Sequence, residues 1–595
     1  MKATWLPAPL SIVTLALSDK AVADLPHVAS LISSFLDCSL NIPLHQACAT
    51  GSLALLDRIW FHSQLPRRED WRWCPAASLQ TNRHYKRWQF SQSLIQAIRR
   101  RDLALVDWIF RHFKHCVSDV EVVEEAASTG QLEILKFLLE KNSGHTQEEY
   151  EAGDANDGGN GVTWGGDDME LAMRNGHSDV VRWLLEHTSI IRRKQAVVLM
   201  HAVLSGNLPI VKLLISRGFR MEQPLHLVNG AGSEGHLELL QWLLQQNLLG
   251  EGLLVRLSSK HLNVNTWLVE AGLECGPERA FVEACGEGQL SVLGWLANYM
   301  KTKGGFLFTN TAESAMESAA RNGHLEVVKW LIERGFPVRG TTYAIHFAAA
   351  RGHLEVAKYL HAQGFTGCNQ GTLRKAAKGG HLAVVQWLWN QFEDDSKTDL
   401  RTKRKREECS RHSSKLEMDY VVTKAAKNGH LDVVQWVCTH TTVNSTKEAI
   451  ASAASRGHFL VVKWLHENRP NEGSQTEVMD ATADYGDLSL LKCLHTNRPD
   501  EGWSTVAIDN AARRGHLHVL RWLLDHKLLY KDSMPMDATH LALMGNHFDA
   551  LLLLHHEYKD WSSEPVYLEN EDDDPYNEHM MAWFQENLRD SSEAD

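Results

Sequence analysis

The segment Ala319-Ala320-Arg321-Asn322-Gly323-His324-Leu325-Glu326-Val327-Val328-Lys329-Trp330-Leu331 returns in nearly the same form at Ala425–Val437, Ala453–Leu465 and Ala511–Leu523. Weaker copies extend the register to sixteen units. Their glycine position falls at Gly51, Arg101, Gly130, Gly176, Gly206, Gly235, Lys260, Gly288, Gly323, Gly352, Gly380, Gly429, Gly457, Gly486, Gly515 and Asn546. Most neighbours are 28 to 31 residues apart. A chain of 595 residues would otherwise suggest about four domains. Units this short cannot bury their apolar faces alone, so they must stack on one another as one elongated array.

Each position in the unit has a physical task. Alanine stands four residues before the glycine position in fourteen of sixteen units, and an apolar residue stands seven before it in fifteen, as with Leu44, Met316, Ile345 and Ile508. That offset sets both on one helix face, where a small residue lets a neighbouring helix approach. The glycine then ends the helix in a left-handed conformation, which Gly adopts freely and Asn tolerates. A second helix follows with apolar residues at plus two, four, five, seven and eight, as in Leu325, Val327, Val328, Trp330 and Leu331. Each unit is therefore a helical hairpin of an inner and an outer helix.

Ile42-Pro43-Leu44-His45-Gln46-Ala47-Cys48 and the A-A-x-x-G-H-L-x-V-V series resemble the ankyrin repeat over roughly residues 41 to 558. The period, about 29 against the family's usual 33, and the tryptophan in place of leucine are similar to short-period arrays of protists, oomycetes especially. The resemblance implies an all-α, ankyrin-type solenoid of about sixteen stacked hairpins with shortened inter-repeat fingers. It shifts the expected binding surface from finger tips to inner helices.

Three insertions interrupt the period. Pro66–Gln89 is aromatic and basic and is expected to pack as an ordered loop; Gly144–Asp168, with Gly158-Gly159-Asn160-Gly161, and Glu393–Ser414 read as linkers. The last contains Lys403-Arg404-Lys405-Arg406, the composition of a nuclear import signal. At the N-terminus, Lys2, the apolar run Ala3–Leu17 and Ala21-Val22-Ala23 imitate a secretory leader. Pro7 and Pro9 break that run, and Leu25–Leu36 continues as an amphipathic stretch, so residues 1–40 are expected to form a helical cap. No run of 18 apolar residues exists, so no membrane helix is expected.

Of the net charge of −13, Glu564–Asp595 carries −10, from eleven acids and Arg589. The body is nearly neutral and offers no broad footprint for nucleic acid. In this acidic tail, 559–595, Met581, Phe584 and Leu588 fall at i, i+3 and i+7 beside Trp583, as a short amphipathic helix places them. A helix-in-groove ligand looks like this, and collapse onto the last repeat is the simpler and preferred fate for it. A tail of this length spans about 30–37 Å, which suffices to screen the final repeats but not the first ones.

The ten cysteines show neither C-x-x-C pairs nor zinc-finger spacing, and neither metal nor cofactor is expected. Histidines after the glycine position, such as His177, His324 and His516, recur once per repeat, and stacked helices about 8–10 Å apart cannot share one zinc among them. The plus-seven tryptophans, Trp108, Trp183, Trp330, Trp436, Trp464 and Trp522 among them, are expected in the core. Phosphate-loop, G-x-S-x-G, H-E-x-x-H and kinase motifs are missing, so no catalytic residue is assigned.

One pattern remains for recognition. Arg321, Arg351, Lys378, Lys427, Arg456, Arg513 and Arg514 lie one or two residues before the glycine position. Cations there complement the helix dipole by about 0.3–1 kcal/mol; the resemblance also implies exposure on a concave rim that contacts partners. The expected function is a monomeric, non-enzymatic scaffold that binds an acidic protein through its inner helices, in the cytoplasm or, through Lys403–Arg406, in the nucleus. The alternative is a substrate-recognition adaptor of a ubiquitin-ligase-type complex, since Leu25-Pro26-His27-Val28 and Ile32–Asp37 faintly resemble a truncated F-box.

Overall fold

The computed structural model describes residues 41–588 except 66–72, 146–158, 189–194, 221–224, 247–254, 274, 303–308, 339–342, 366, 399–417, 470–474, 498–501, 527–535 and 559–576. The expected cap, the F-box-like segment and Lys403–Arg406 lie outside the described residues. Helical hairpins follow one another as a solenoid and fall into two compact units. One comprises Met1–Ala202, Pro209–Arg220 and Tyr530–Asp595, the other Val203–Leu208 and Met221–Leu529.

In the second unit the hairpin around Gly323 shows how the repeat is made. Its inner helix, Thr309–Asn322, buries Met316, Ala319 and Ala320; its outer helix, Leu325–Glu333, buries Val327, Val328 and Leu331. Gly323 turns between them at φ +80°, and His324 N donates to Ala319 O at 3.0 Å, which satisfies a carbonyl at the helix end.

The histidine after the glycine reaches back to the preceding repeat. His324 Nε2 donates to Gly286 O, His430 to Lys378 O, His458 to Lys427 O and His516 to Asp484 O, all at 3.0–3.1 Å. Each ring lies against the preceding repeat's glycine: a Cβ on Gly429 would sit 2.6 Å from His458 Nδ1, and one on Gly486 2.6 Å from His516 Nδ1. The glycine is needed twice, for its positive φ and for its missing side chain. Burial holds His381 and His516 below the ordinary imidazole range, so these rings donate as neutral species. Where the following unit carries Asp487 in place of histidine, Tyr485 covers Gly457 instead.

Three expectations are corrected in this unit. At Lys260 the residues before the turn are not helical. Val255–Arg256 is extended and pairs in parallel with Cys275–Gly276, because Arg256 stands where the inner helix needs its buried alanine. Trp330, Trp436, Trp464 and Trp522 are half-buried rather than core. Trp330 stacks on Phe336 at 5.5 Å with Arg334 5.0 Å from its ring, so its truncation should cost roughly half of the ~3–5 kcal/mol expected for a fully buried aromatic. Trp436 and Trp522 stack on His440 and His526, whose Nδ1 atoms donate to the tryptophan carbonyls at 3.0 and 2.9 Å and close the outer helix. Finally, the outer helix Leu382–Thr398 runs on into the third insertion.

In the first unit Trp108 and Trp183 are core, each 8 % exposed. Within the expected loop at 66–89, residues 75–89 are instead a helix, Pro75–Thr81, and the first part of a second one, Arg83–Arg99, capped by Asn82 Oδ1 accepting from Tyr85 N at 2.9 Å. The glycine-rich stretch at 158–161 is not only linker. Asn160 is buried, donates to Phe110 O and Phe113 O at 3.1 and 3.0 Å, and leads Gly161-Val162 into a parallel pairing with Val117-Ser118.

The last hairpin, Met536–Met544 and Phe548–Glu557, also belongs to this unit. Phe548 is fully buried against Tyr85 and Trp88, with ring centroids 5.6 and 5.9 Å away. The Tyr85 hydroxyl donates to the Asp549 carboxylate and accepts from Gln89 Nε2 at 2.8 Å, and Gln89 Oε1 takes His45 N at 3.0 Å. Burial raises Asp549 to about 7 and lowers His45 to about 4. The tail helix, Glu578–Leu588, packs on Arg83–Arg99, which overturns the expectation that the tail cannot reach the first repeats. The tail leaves a hairpin already seated beside Tyr85, so it has no stack of repeats to span.

Candidate functional site

The seven predicted cations divide into two groups, both in the second unit. Arg321, Arg351, Lys378 and Arg456 are exposed, and Lys427 is half-exposed. None of the five forms an ion pair with a carboxylate among the described residues. Arg513 and Arg514 differ: both reach Asp484 Oδ1, at 2.6 and 3.1 Å, and Asp484 is only 17 % exposed. Their charge is committed to joining the repeats at Gly486 and Gly515.

Around the first group the inner helices carry aromatic rings that the offset-by-two pattern did not flag. The Arg321 guanidinium lies 4.0 Å from the Phe347 ring centroid, and Lys375 Nζ approaches the same ring at 5.8 Å. Arg374 and Lys424 stand 5.5 and 4.6 Å from the Tyr420 ring. These side chains project from Thr309–Asn322, Ala344–Ala350, Gln370–Gly379 and residues 418–427, the inner helices of four consecutive repeats. Tyr343, 59 % exposed, extends the strip beyond Phe347, 6.4 Å from it. A sequence signal did exist. Five residues before the glycine position stand Phe347, Lys375 and Lys424 in successive units, and nine before it stand Tyr343 and Tyr420.

The electrostatics agree with the geometry. His346, bonded to Thr372 Oγ1 at 2.9 Å, is held below the ordinary imidazole range by burial and then by Lys375 and Arg374. The Tyr420 hydroxyl is held below its usual range first by a hydrogen bond from Lys424. A cation resting on a ring is positioned without losing its charge, whereas one paired to a carboxylate is neutralised. The strip is thus a row of positive charges that rest on rings and form no ion pair with a carboxylate among the described residues. Among the described residues no group of three or more His, Cys, Asp or Glu is placed to hold a metal ion. No helix among them is long and apolar enough to cross a membrane.

The architecture defines a helical-repeat protein. The family comparison specifies the repeat: a model described as ankyrin repeats (many copies) matches residues 316–361, 345–388 and 450–524, and one described as ankyrin repeats (3 copies) matches 125–224. The chain carries ankyrin repeats over these residues, and repeats of this family are in general non-catalytic interaction modules. No curated protein matches the sequence. Among solved structures it is similar to the pentatricopeptide repeat protein PPR10 in complex with an 18-nt psaJ RNA element, at 13 % identity and TM-score 0.23, covering 98 % of this chain and 97 % of that one. PPR10 from maize matches at 12 % identity and TM-score 0.19, covering 92 % and 97 %. Superpositions this poor carry no functional weight.

Proposed function

We propose that this chain is a non-enzymatic scaffold that holds an acidic protein segment on the concave, inner-helix surface, centred on Arg321, Phe347, Arg374, Lys375, Tyr420 and Lys424 and flanked by Arg351, Lys378, Lys427 and Arg456. The observation that carries this reading is the seating of four cations on two aromatic rings rather than on carboxylates. The same seating argues against nucleobases as ligands, since the rings that would stack with bases are already engaged by cations. Arg513 and Arg514, tied to Asp484, contribute to stability rather than to this surface.

The test is affinity purification of the full chain and of its Lys375→Glu, Lys424→Glu double variant from the same cells, read by mass spectrometry. Partners rich in Asp and Glu should be recovered with the parent and lost with the variant. Recovery of the same set with both, or of RNA rather than protein, would remove the reading. Residence in the cytoplasm with entry to the nucleus through Lys403–Arg406 is tested separately by replacing those four residues and imaging a tagged chain.

A further inference from the structure

The helix Glu578–Leu588 is bound as ligands are bound. Met580, Trp583 and Phe584, at i, i+3 and i+4, form one face and are at most 4 % exposed. This differs from the face expected from Met581, since Met581 itself is only half-buried. The Trp583 ring stands edge-on to Phe548 at 5.8 Å and to His555 at 5.1 Å. Polar contacts fix its direction at both ends. Glu586 takes the Arg83 guanidinium and lies 3.0 Å from His84 Nε2, while His579 Nε2 faces Asp119 Oδ1 at 3.4 Å and Asn577 Nδ2 donates to Asp119 Oδ2 at 3.5 Å.

The receiving surface does not depend on that helix for its own integrity. Arg83–Arg99 is held by its packing on Leu44–Cys48 and Val120–Ser128, and its junction with the last hairpin is made by Tyr85, Trp88, Phe548 and Asp549. Residues 559–576 join the helix to that hairpin and carry seven acids against Lys559. An eleven-residue helix is marginal by itself in water, so its folding is coupled to docking. A tether of this length supplies an effective concentration on the order of millimolar, enough to keep a weakly binding helix seated.

We propose that the surface formed by Arg83–Arg99 and Phe548–Glu557 is a receptor for a short amphipathic helix bearing adjacent aromatic residues and a carboxylate, and that the chain fills it in cis with its own Glu578–Leu588 as a displaceable ligand. A protein carrying such a helix at higher affinity gains access by competition, and the tail sets the threshold.

The experiment uses the full chain with Trp583→Ala and Phe584→Ala, and a fluorescent peptide of residues 576–590 followed by anisotropy. The variant should bind the peptide saturably in the micromolar range, with at least tenfold weaker apparent binding to the parent chain. Arg83→Glu placed in the variant should weaken binding several-fold, and a Glu586→Arg peptide should recover it. A variant that keeps its native melting curve yet ignores the peptide would overturn the proposal, as would equal binding by parent and variant. If the variant does not fold, a protease site inserted within 560–575 of the parent chain allows cleavage after folding. The released helix should then exchange with excess peptide. A fragment that leaves only on denaturation, or a concentration-dependent dimer that the peptide dissolves, would overturn the assignment in cis.

Discussion

Two stretches of inner helix within the second unit use the same offsets from the glycine to opposite ends. In the repeat ending at Gly380, the residues six, five and two before the glycine are Arg374, Lys375 and Lys378; in that ending at Gly486 they are Asp480, Ala481 and Asp484. The first set leaves positive charge resting on the rings of its neighbours. In the second, Asp484 takes Arg513 and Arg514, and Asp480 accepts Ser504 N at 2.9 Å, so the charge is consumed between repeats. A base before the glycine is therefore not a binding residue by position. What decides is whether the next repeat offers it a ring or a carboxylate.

The largest effect should be the one the two stretches share. Gly429→Ala and Gly486→Ala each force a left-handed residue to carry a Cβ against a histidine ring, and each should cost about 2–3 kcal/mol in chemical denaturation. A loss at one site only would show that the joint differs between them. Next, Lys375→Glu with Lys424→Glu should weaken partner binding at least tenfold while the melting temperature holds. Arg513→Glu with Arg514→Glu should do the reverse. Titration calorimetry and melting curves on the two double variants and the parent would expose a mixed outcome, which breaks the distinction.

Smaller again is Asp484→Asn, expected to remove about 1 kcal/mol, since both arginines are half-exposed. The melting temperature of His516→Gln against the parent isolates a pH effect. Burial depresses His516 in the folded chain, so the unfolded state takes up the proton first as pH falls below the ordinary histidine range. Stability should therefore decline with acidification, and less steeply in the variant. The smallest effect is local: Lys375→Ala should raise the His346 pKa in an NMR titration but leave it depressed, because burial is the larger cause.

How much was legible in the chain follows from the range of each contact. The hairpins, their glycine turns and the buried apolar and alanine positions were readable because they recur every unit and act within it, as Met316, Ala319 and Gly323 do. Half-burial of Trp330 was not, since a helical period gives the face a residue lies on but not how far the next repeat covers it. The ring-seated strip is half legible: the offset from the glycine marks Arg321, while the seats on Phe347 and Tyr420 depend on how neighbouring helices stand side by side. The junction of Tyr85 with Asp549 had no periodic signal at all, joining residues 464 positions apart through an insertion that breaks the repeat.

The histidine that closes over the preceding glycine has a consequence for how such a chain changes over generations. Each unit that has both the glycine and the histidine carries one half of the joint facing forward and the complementary half facing back, so units of this kind can follow one another. Excising or duplicating one whole unit, such as that from Gly429 to His458, restores an identical seam, while removing half a unit leaves a ring with nothing to cover. Copy number is thereby uncoupled from the architecture. The identity of each copy rests on its outward residues, so a strip like that of Phe347, Lys375 and Lys424 can be lengthened or moved without redesigning what holds it up.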